Sequence, residues 1–238
     1  MSENSPVVRT DALSKQFGGL TVLRSVSILV AAGKLLTIFG RNGAGKTTFL
    51  KIAAGLIRTY RGKVYLLGED LSKAGQNIRR QIGFVSHETL LYPDLTAREN
   101  LMFYARLYQI DDAKTVVEGA LSRLELEAKA TTTVRTLSRG MKQRLSLGRA
   151  FLHGPAVLFL DEPFTGLDER AADTLHGMLE EFKTGGGSIV MASHNLERGW
   201  RHADDIAVLE RGAIAYEGAA GDTDVDQFRA QYRDIISH

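Results

Sequence analysis

Two short stretches of the chain hold residues suited to phosphate chemistry. In GRNGAGKTT, the residues Gly40, Gly45, Lys46 and Thr47 fit the pattern G-x-x-x-x-G-K-[ST]. Gly40, Gly43 and Gly45 lack a Cβ, so the backbone can curl tightly and aim its N–H groups at phosphate oxygens. Asn42, Ala44 and Thr48 fill out the same loop. Lys46 would reach the β- and γ-phosphates, and the Thr47 hydroxyl would give Mg2+ one oxygen ligand, with waters and phosphate oxygens supplying the others. The second stretch, AVLFLDEP, ends an apolar run on Asp161, Glu162 and Pro163. There Asp161 can hold Mg2+, directly or through water, and Glu162 can orient and deprotonate the water that attacks a γ-phosphate. Alone, a strand ending in Asp-Glu-Pro reads equally well as a turn. Beside a phosphate loop it becomes the second half of a nucleotide-hydrolysing site.

Both stretches need an α/β frame to hold them. The glycine loop follows KLLTIF and precedes FLKIAAGL, so strand, turn and helix come in the order that puts a helix N-terminus against the phosphates. Short apolar runs recur at 35–39, 64–67, 82–85, 157–160, 189–192 and 206–209. Several are continuous rather than alternating, the pattern of strands covered on both faces. Between them lie helical stripes: Ala97, Leu101, Tyr104, Ala105 and Tyr108 form one, and Ala172, Leu175, Leu179 and Phe182 another. Strands alternating with helices predict an α/β fold. Thr96, followed three residues later by Glu99, forms a capping box that marks a helix start. The region from about 89 to 150 reads as helical throughout, a subdomain inserted into one domain spanning 1–238.

Composition removes several alternatives. At 238 residues with 44% hydrophobic and 24% charged side chains, the chain has the make-up of a globular domain. Zero cysteines exclude disulfides, thiolate metal sites and cysteine nucleophiles. A formal charge of +2 gives no basic field that would argue for nucleic acid as a partner. The N-terminus lacks the pattern of a signal peptide, and no apolar run approaches the roughly 18–20 residues needed to span a bilayer. The expectation is a cytoplasmic chain whose membrane role, if it has one, comes through a partner.

A kinase, a GTPase and a transport ATPase share the two phosphate motifs, so the choice rests on what surrounds them. LSRGMKQR, followed by LSLGRAFL, resembles the LSGGQ signature of the ATP-binding cassette family, and other motifs of that family fall in order around it. Phe17, in LSKQFGG, resembles the aromatic that stacks on adenine. FTGLD, at 164–168, resembles the D-loop, and His194, in MASHN, the switch histidine. A nucleotide kinase would leave LSRGM and SHN without a role, whereas a cassette ATPase that never meets a membrane would keep them. The resemblance implies ATP and Mg2+ as ligands, with Lys46, Glu162 and His194 in the catalytic centre and Thr47 and Asp161 at the metal. It implies a phosphate-loop core with a mostly parallel sheet, an N-terminal antiparallel β subdomain and the inserted helical subdomain. Ser138 is a good helix N-cap whose helix would face an anion. The resemblance makes that anion the γ-phosphate held by a second copy of the chain, touched by Ser138 and Gly140 across an ATP sandwich.

Integral membrane transporter subunits are the other implied partner, which puts the chain on the cytoplasmic face of the cell membrane. Leu90, Leu91 and Tyr92 precede Pro93 in a loop, where an apolar run calls for a covering surface. The resemblance implies a short helix of the membrane subunit there, lined by Leu91 and Tyr92. The chain departs from the family pattern at Arg139 and Met141, where Gly and Gln are usual, and at His87, which stands where a glutamine commonly faces Mg2+. His87 with TLLYPDLTARENL and the signature region resembles the ATP-binding subunit of the haem exporter of cytochrome c maturation. The same residues are also similar, more broadly, to drug and polysaccharide exporter subunits.

Overall fold

The computed structural model describes residues 6–86 and 88–237. His87, expected near Mg2+, lies outside them. In chain order the first half contains β1 (Pro6–Phe17), β2 (Leu20–Ala31), β3 (Leu35–Phe39), α1 (Lys46–Ala53), β4 (Arg61–Leu66), β5 (Glu69–Asp70), α2 (Gln76–Arg79) and β6 (Ile82–Val85). Three helices follow, α3 (Ala97–Leu107), α4 (Ala113–Arg123) and α5 (Arg139–Phe151). The last part contains β7 (Val157–Asp161), α6 (Glu169–Thr184), β8 (Ser188–Ser193), α7 (Leu196–Trp200), β9 (Asp205–Glu210), β10 (Ala213–Ala219) and α8 (Val225–Ser237).

The strands form two sheets. The antiparallel one has the order β2-β1-β4-β5, and the other the order β10-β9-β3-β8-β7-β6, parallel throughout except for the β9–β10 edge. The fold is therefore mixed α/β, with an N-terminal antiparallel sheet and a parallel-rich sheet behind the phosphate loop. β3, β7 and β8 are buried at every residue, the reason that they read as unbroken apolar runs. β4 differs from that expectation. Val64 and Leu66 point inward while Arg61, Gly62 and Lys63 are exposed, because β4 belongs to the one-sided antiparallel sheet.

Alternate faces of the central strands pack into separate cores. Leu36, Ile38, Val157 and Phe159 join Phe49 and Leu50 of α1 and the inward face of the antiparallel sheet. Leu35, Leu158 and Leu160 join Leu145, Leu175 and Leu179 and, through them, the helices of the 89–150 region. Trp200 packs on Phe228 of α8 with ring centroids 5.0 Å apart.

Within 89–150, α3 begins at the capping box: Thr96 accepts from the Glu99 N–H while Glu99 Oε2 accepts from the Thr96 N–H at 2.8 Å. Asn100, fully buried, ties down the preceding loop: its Nδ2 donates to the Tyr92 and Thr96 carbonyls, each at 3.0 Å, and its Oδ1 accepts from the Tyr92 N–H at 2.8 Å. That loop is also laced to the segment before α5. Arg135 N–H donates to the Pro93 carbonyl, Val134 N–H to Leu95, and Ala97 N–H to Thr132.

Candidate functional site

β3 ends at Phe39 and the chain turns at once through Gly40 to Gly45 into α1. The glycines are needed for room. A Cβ on Gly40 would lie 2.3 Å from the Leu209 carbonyl oxygen, and one on Gly45, at φ +109°, 2.8 Å from the Val22 carbonyl oxygen. The loop is thus clamped between β2 and β9. At its end Lys46 is buried, and its Nζ donates to the Gly40 carbonyl at 2.7 Å and to Arg41 at 3.3 Å. Burial lowers the Lys46 pKa from its ordinary value, against the opposing pull of the Glu162 and Asp161 charges.

β7 delivers the two carboxylates to the same place. Thr47 Oγ1 donates to Asp161 Oδ2 at 2.8 Å. Glu162 stands in a left-handed conformation, φ +52°, costly for a residue with a side chain and held by hydrogen bonds from its N–H to Ala192 and from Thr165 N–H to its carbonyl. This turn aims the carboxylate back over the loop. Glu162 Oε1 is 3.8 Å from Lys46 Nζ, buried and without a hydrogen-bond partner, and Glu162 Oε2 is 2.8 Å from His194 Nδ1. β8 brings His194 there from the neighbouring strand, leaving its ring exposed. The resulting opening, about 410 Å3, is bordered by Asn42, Gly43, Gly45, Lys46, Thr47, Thr48, Asp161 and Glu162, together with Val22 and Arg41. A larger cleft of about 700 Å3 beside the β1–β2 hairpin has neither a glycine loop nor a carboxylate on its border, so it lacks what a metal-bound triphosphate requires.

Thr47 and Asp161 offer adjacent hard oxygens, and no cluster of three or more His, Cys, Asp or Glu suited to a metal occurs among the described residues. The Thr47 hydroxyl and Asp161 carboxylate are hard oxygen donors of the kind that Mg2+ takes from a protein, its other positions going to water and phosphate.

The remaining expected residues lie off the border of this opening. Ser138 caps α5 by accepting from the Met141 N–H at 3.2 Å, and Gly140 packs on the D-loop, where a Cβ would come 3.1 Å from the Gly166 carbonyl oxygen. Arg139 lies along Gly166 as well. Phe17, Ser138 and Gly140 are not on the border of the phosphate opening within one chain. The D-loop is held by two groups that sequence reasoning missed: Gln143 Nε2 donates to the Pro163 carbonyl at 3.2 Å, and Arg198 Nη1 to the Phe164 carbonyl at 3.0 Å. Val22 and Arg41 were missed too, and only Arg41, inside the loop motif, carried a signal. The apolar loop after β6 also departs from expectation. Leu90, at φ +53°, turns outward and borders a groove with Leu56, Arg58 and Arg79, whereas Leu91 is half-buried against the helical core and Tyr92 is exposed.

A glycine loop feeding a helix, two strand-end acids and a histidine on the next strand define a phosphate-loop ATPase of cassette architecture. A family model described as ABC transporter matches residues 23–165. Nod factor export ATP-binding protein I of Rhizobium johnstonii is 37% identical over 217 residues, 90% of this chain and 70% of that protein. The protein of the same name from Burkholderia lata is 38% identical over 209 residues, 87% of this chain and 69% of the relative. Among solved structures, an ATP-binding subunit of an ABC transporter superposes with a TM-score of 0.87 at 28% identity, over 95% of this chain and 99% of that one. A dimeric ATP-binding cassette bound to ADP and Pi in a post-hydrolysis state gives 0.83 at 25% identity, over 90% and 98%. The chain belongs to the ABC transporter family, as one of its ATP-hydrolysing subunits. These relatives carry the name of an export system other than the haem exporter expected from the sequence, and that finer assignment finds no support among them.

Proposed function

We propose that this chain powers an ABC exporter from the cytoplasmic face of the cell membrane, binding Mg-ATP in the 40–48 loop and hydrolysing it with Glu162 as the base. The observation that carries this reading is the position of Glu162, with one carboxylate oxygen toward Lys46 and the other 2.8 Å from His194. Lys46 and the loop N–H groups bind the phosphates. Glu162 takes the proton of the attacking water, and His194 steadies that carboxylate and faces the γ-phosphate. Thr47 and Asp161 would hold Mg2+, which when bound shields the β- and γ-phosphate charge. His87 is proposed to face the same ion.

A second copy of the chain completes the site, its Ser138 and Gly140 reaching the γ-phosphate while Phe17 stacks on adenine. The dimeric cassette bound to ADP and Pi supports this arrangement. Membrane subunits dock on the groove bordered by Leu90 and Leu56. No helix among the described residues is long and apolar enough to cross a membrane, which agrees with a peripheral role. Similarity to proteins named for Nod factor export supports an exporter, and none of these names supports haem as the cargo; a drug or polysaccharide exporter is the alternative. Purification of the complex from native membranes tests the whole reading. Membrane subunits should accompany the chain, and ATP should give ADP and free phosphate alone. A chain recovered without them would refute the transport assignment.

A further inference from the structure

Lys15 is one of the few buried charged side chains in the molecule, only 8% exposed, and the phosphate chemistry makes no use of it. It leaves β1 two residues before Phe17. Its Nζ donates to the Thr59 carbonyl and to Thr59 Oγ1, the latter at 2.8 Å, and lies 4.5 Å from the centroid of the Phe17 ring. No carboxylate pairs with it among the described residues; its partners are one carbonyl, one hydroxyl and one aromatic face, and its side chain also borders the cleft of about 700 Å3 beside the hairpin. Phe17 itself sits at the tip of the β1–β2 hairpin, beside Gly18 and Gly19, both at positive φ, and is 47% exposed. Among the described residues, Lys15 is the one cation recorded over that ring. The hairpin also reaches the phosphate loop, since Val22 borders the opening and its carbonyl abuts Gly45.

We infer that Lys15 is a positioning residue for the nucleotide base, acting through Phe17. Thr59 fixes the ammonium, and the ammonium fixes one face of the ring, leaving the other face free. A cation on one face also draws π-electron density toward itself, so the free face stacks better on an electron-rich purine. This inference rests on the reading of Phe17 as the adenine-stacking residue, and it adds the group that holds Phe17 in place.

The test compares Mg-ATP with Mg-tripolyphosphate, which has phosphates and no base, by calorimetric titration of the full chain. Phe17→Ala should weaken ATP and leave tripolyphosphate unchanged. Lys15→Met should do the same, weakening ATP by about threefold to tenfold. Lys15→Arg, which keeps the cation, should restore ATP affinity. If Lys15→Met does not fold, Lys15→Gln, which can still donate to Thr59, takes its place with the same expected loss. Lys15 variants that leave both ligands unchanged while Phe17→Ala weakens ATP would overturn the Lys15 inference. So would variants that weaken both ligands equally, since that marks a structural role. An unchanged ATP-to-tripolyphosphate ratio in Phe17→Ala would instead sink the reading of Phe17, and the inference with it.

Discussion

Replacing Glu162 with Gln keeps the size of the side chain and removes only the charge and the basicity. Glu162 sits at φ +52° with its backbone tied to Ala192 and Thr165, bonds that the substitution does not touch, so the turn that aims the side chain should survive. Loss of a positioned general base costs about 100- to 10,000-fold in rate, equivalent to about 3–5 kcal/mol at the transition state. Mg-ATP binding should be preserved or strengthened. Lys46 Nζ, 3.8 Å from Glu162 Oε1, loses a competing negative charge and faces the phosphates alone. Turnover by phosphate release, with ATP affinity by fluorescent-nucleotide titration, separates the two effects. Trapped ATP should also hold two chains together, which light scattering at saturating ATP reports. A turnover within about tenfold of the parent chain would place the base elsewhere. Collapse of ATP binding would show that Glu162 serves the ground state, and a strictly monomeric variant would refute the ATP sandwich.

Three further outcomes are expected. Gly45→Ala forces a Cβ to within 2.8 Å of the Val22 carbonyl oxygen at a φ that L-residues avoid, so ATP affinity should fall at least tenfold in the same titration; unchanged affinity would mean that the loop is not the cradle. His176 is buried against Phe164 and His202, and burial, reinforced by the positive charge of His202, Arg201 and Arg198 against Asp173, lowers its pKa from 6.5 to about 4. The unfolded chain then binds the proton more readily, so stability is full above about pH 6.5 and is lost progressively as the pH falls toward 4. Denaturant titrations across that range should show the slope, and His176→Phe should flatten it; an equal slope in both would assign it to other groups. Leu90→Ser with Leu56→Ser should weaken co-purification of membrane subunits while the isolated chain binds ATP as before, because both side chains are more than 40% exposed in the groove. Normal assembly would show that the groove is not the docking surface.

The chemistry of this chain was legible where it is local. The glycine loop, the strand-end acids and the Thr96 cap are each written within a few consecutive residues, and the buried strands of the parallel sheet announce themselves as apolar runs. The long strands β1 and β2 do not. Register shifts between Thr10 and Leu13, Leu13 and Lys15, and Lys15 and Gln16 break the two-residue alternation that would mark a half-buried strand. The contact of His194 with Glu162 joins two strand ends across β7 and β8, and nothing in either stretch records that they are neighbours in space. The exchange of Leu90 for Leu91 at the groove has a similar cause. One left-handed residue turns the chain over, and a leucine at φ +53° carries no mark in the sequence.

The lacing between residues 93–97 and 132–135 has a mechanical consequence. The exposed Leu90 and Tyr92 lead directly into backbone bonded to Val134 and Arg135, and three residues beyond Arg135 the chain reaches Ser138. Asn100 stiffens the near end by gripping Tyr92 and Thr96 together. A partner that tugs on the exposed leucine and tyrosine therefore pulls on a short, taut strap rather than on a slack loop. The first turn of α5 is thereby tied, within three residues of Arg135, to the same backbone that carries the exposed Leu90 and Tyr92.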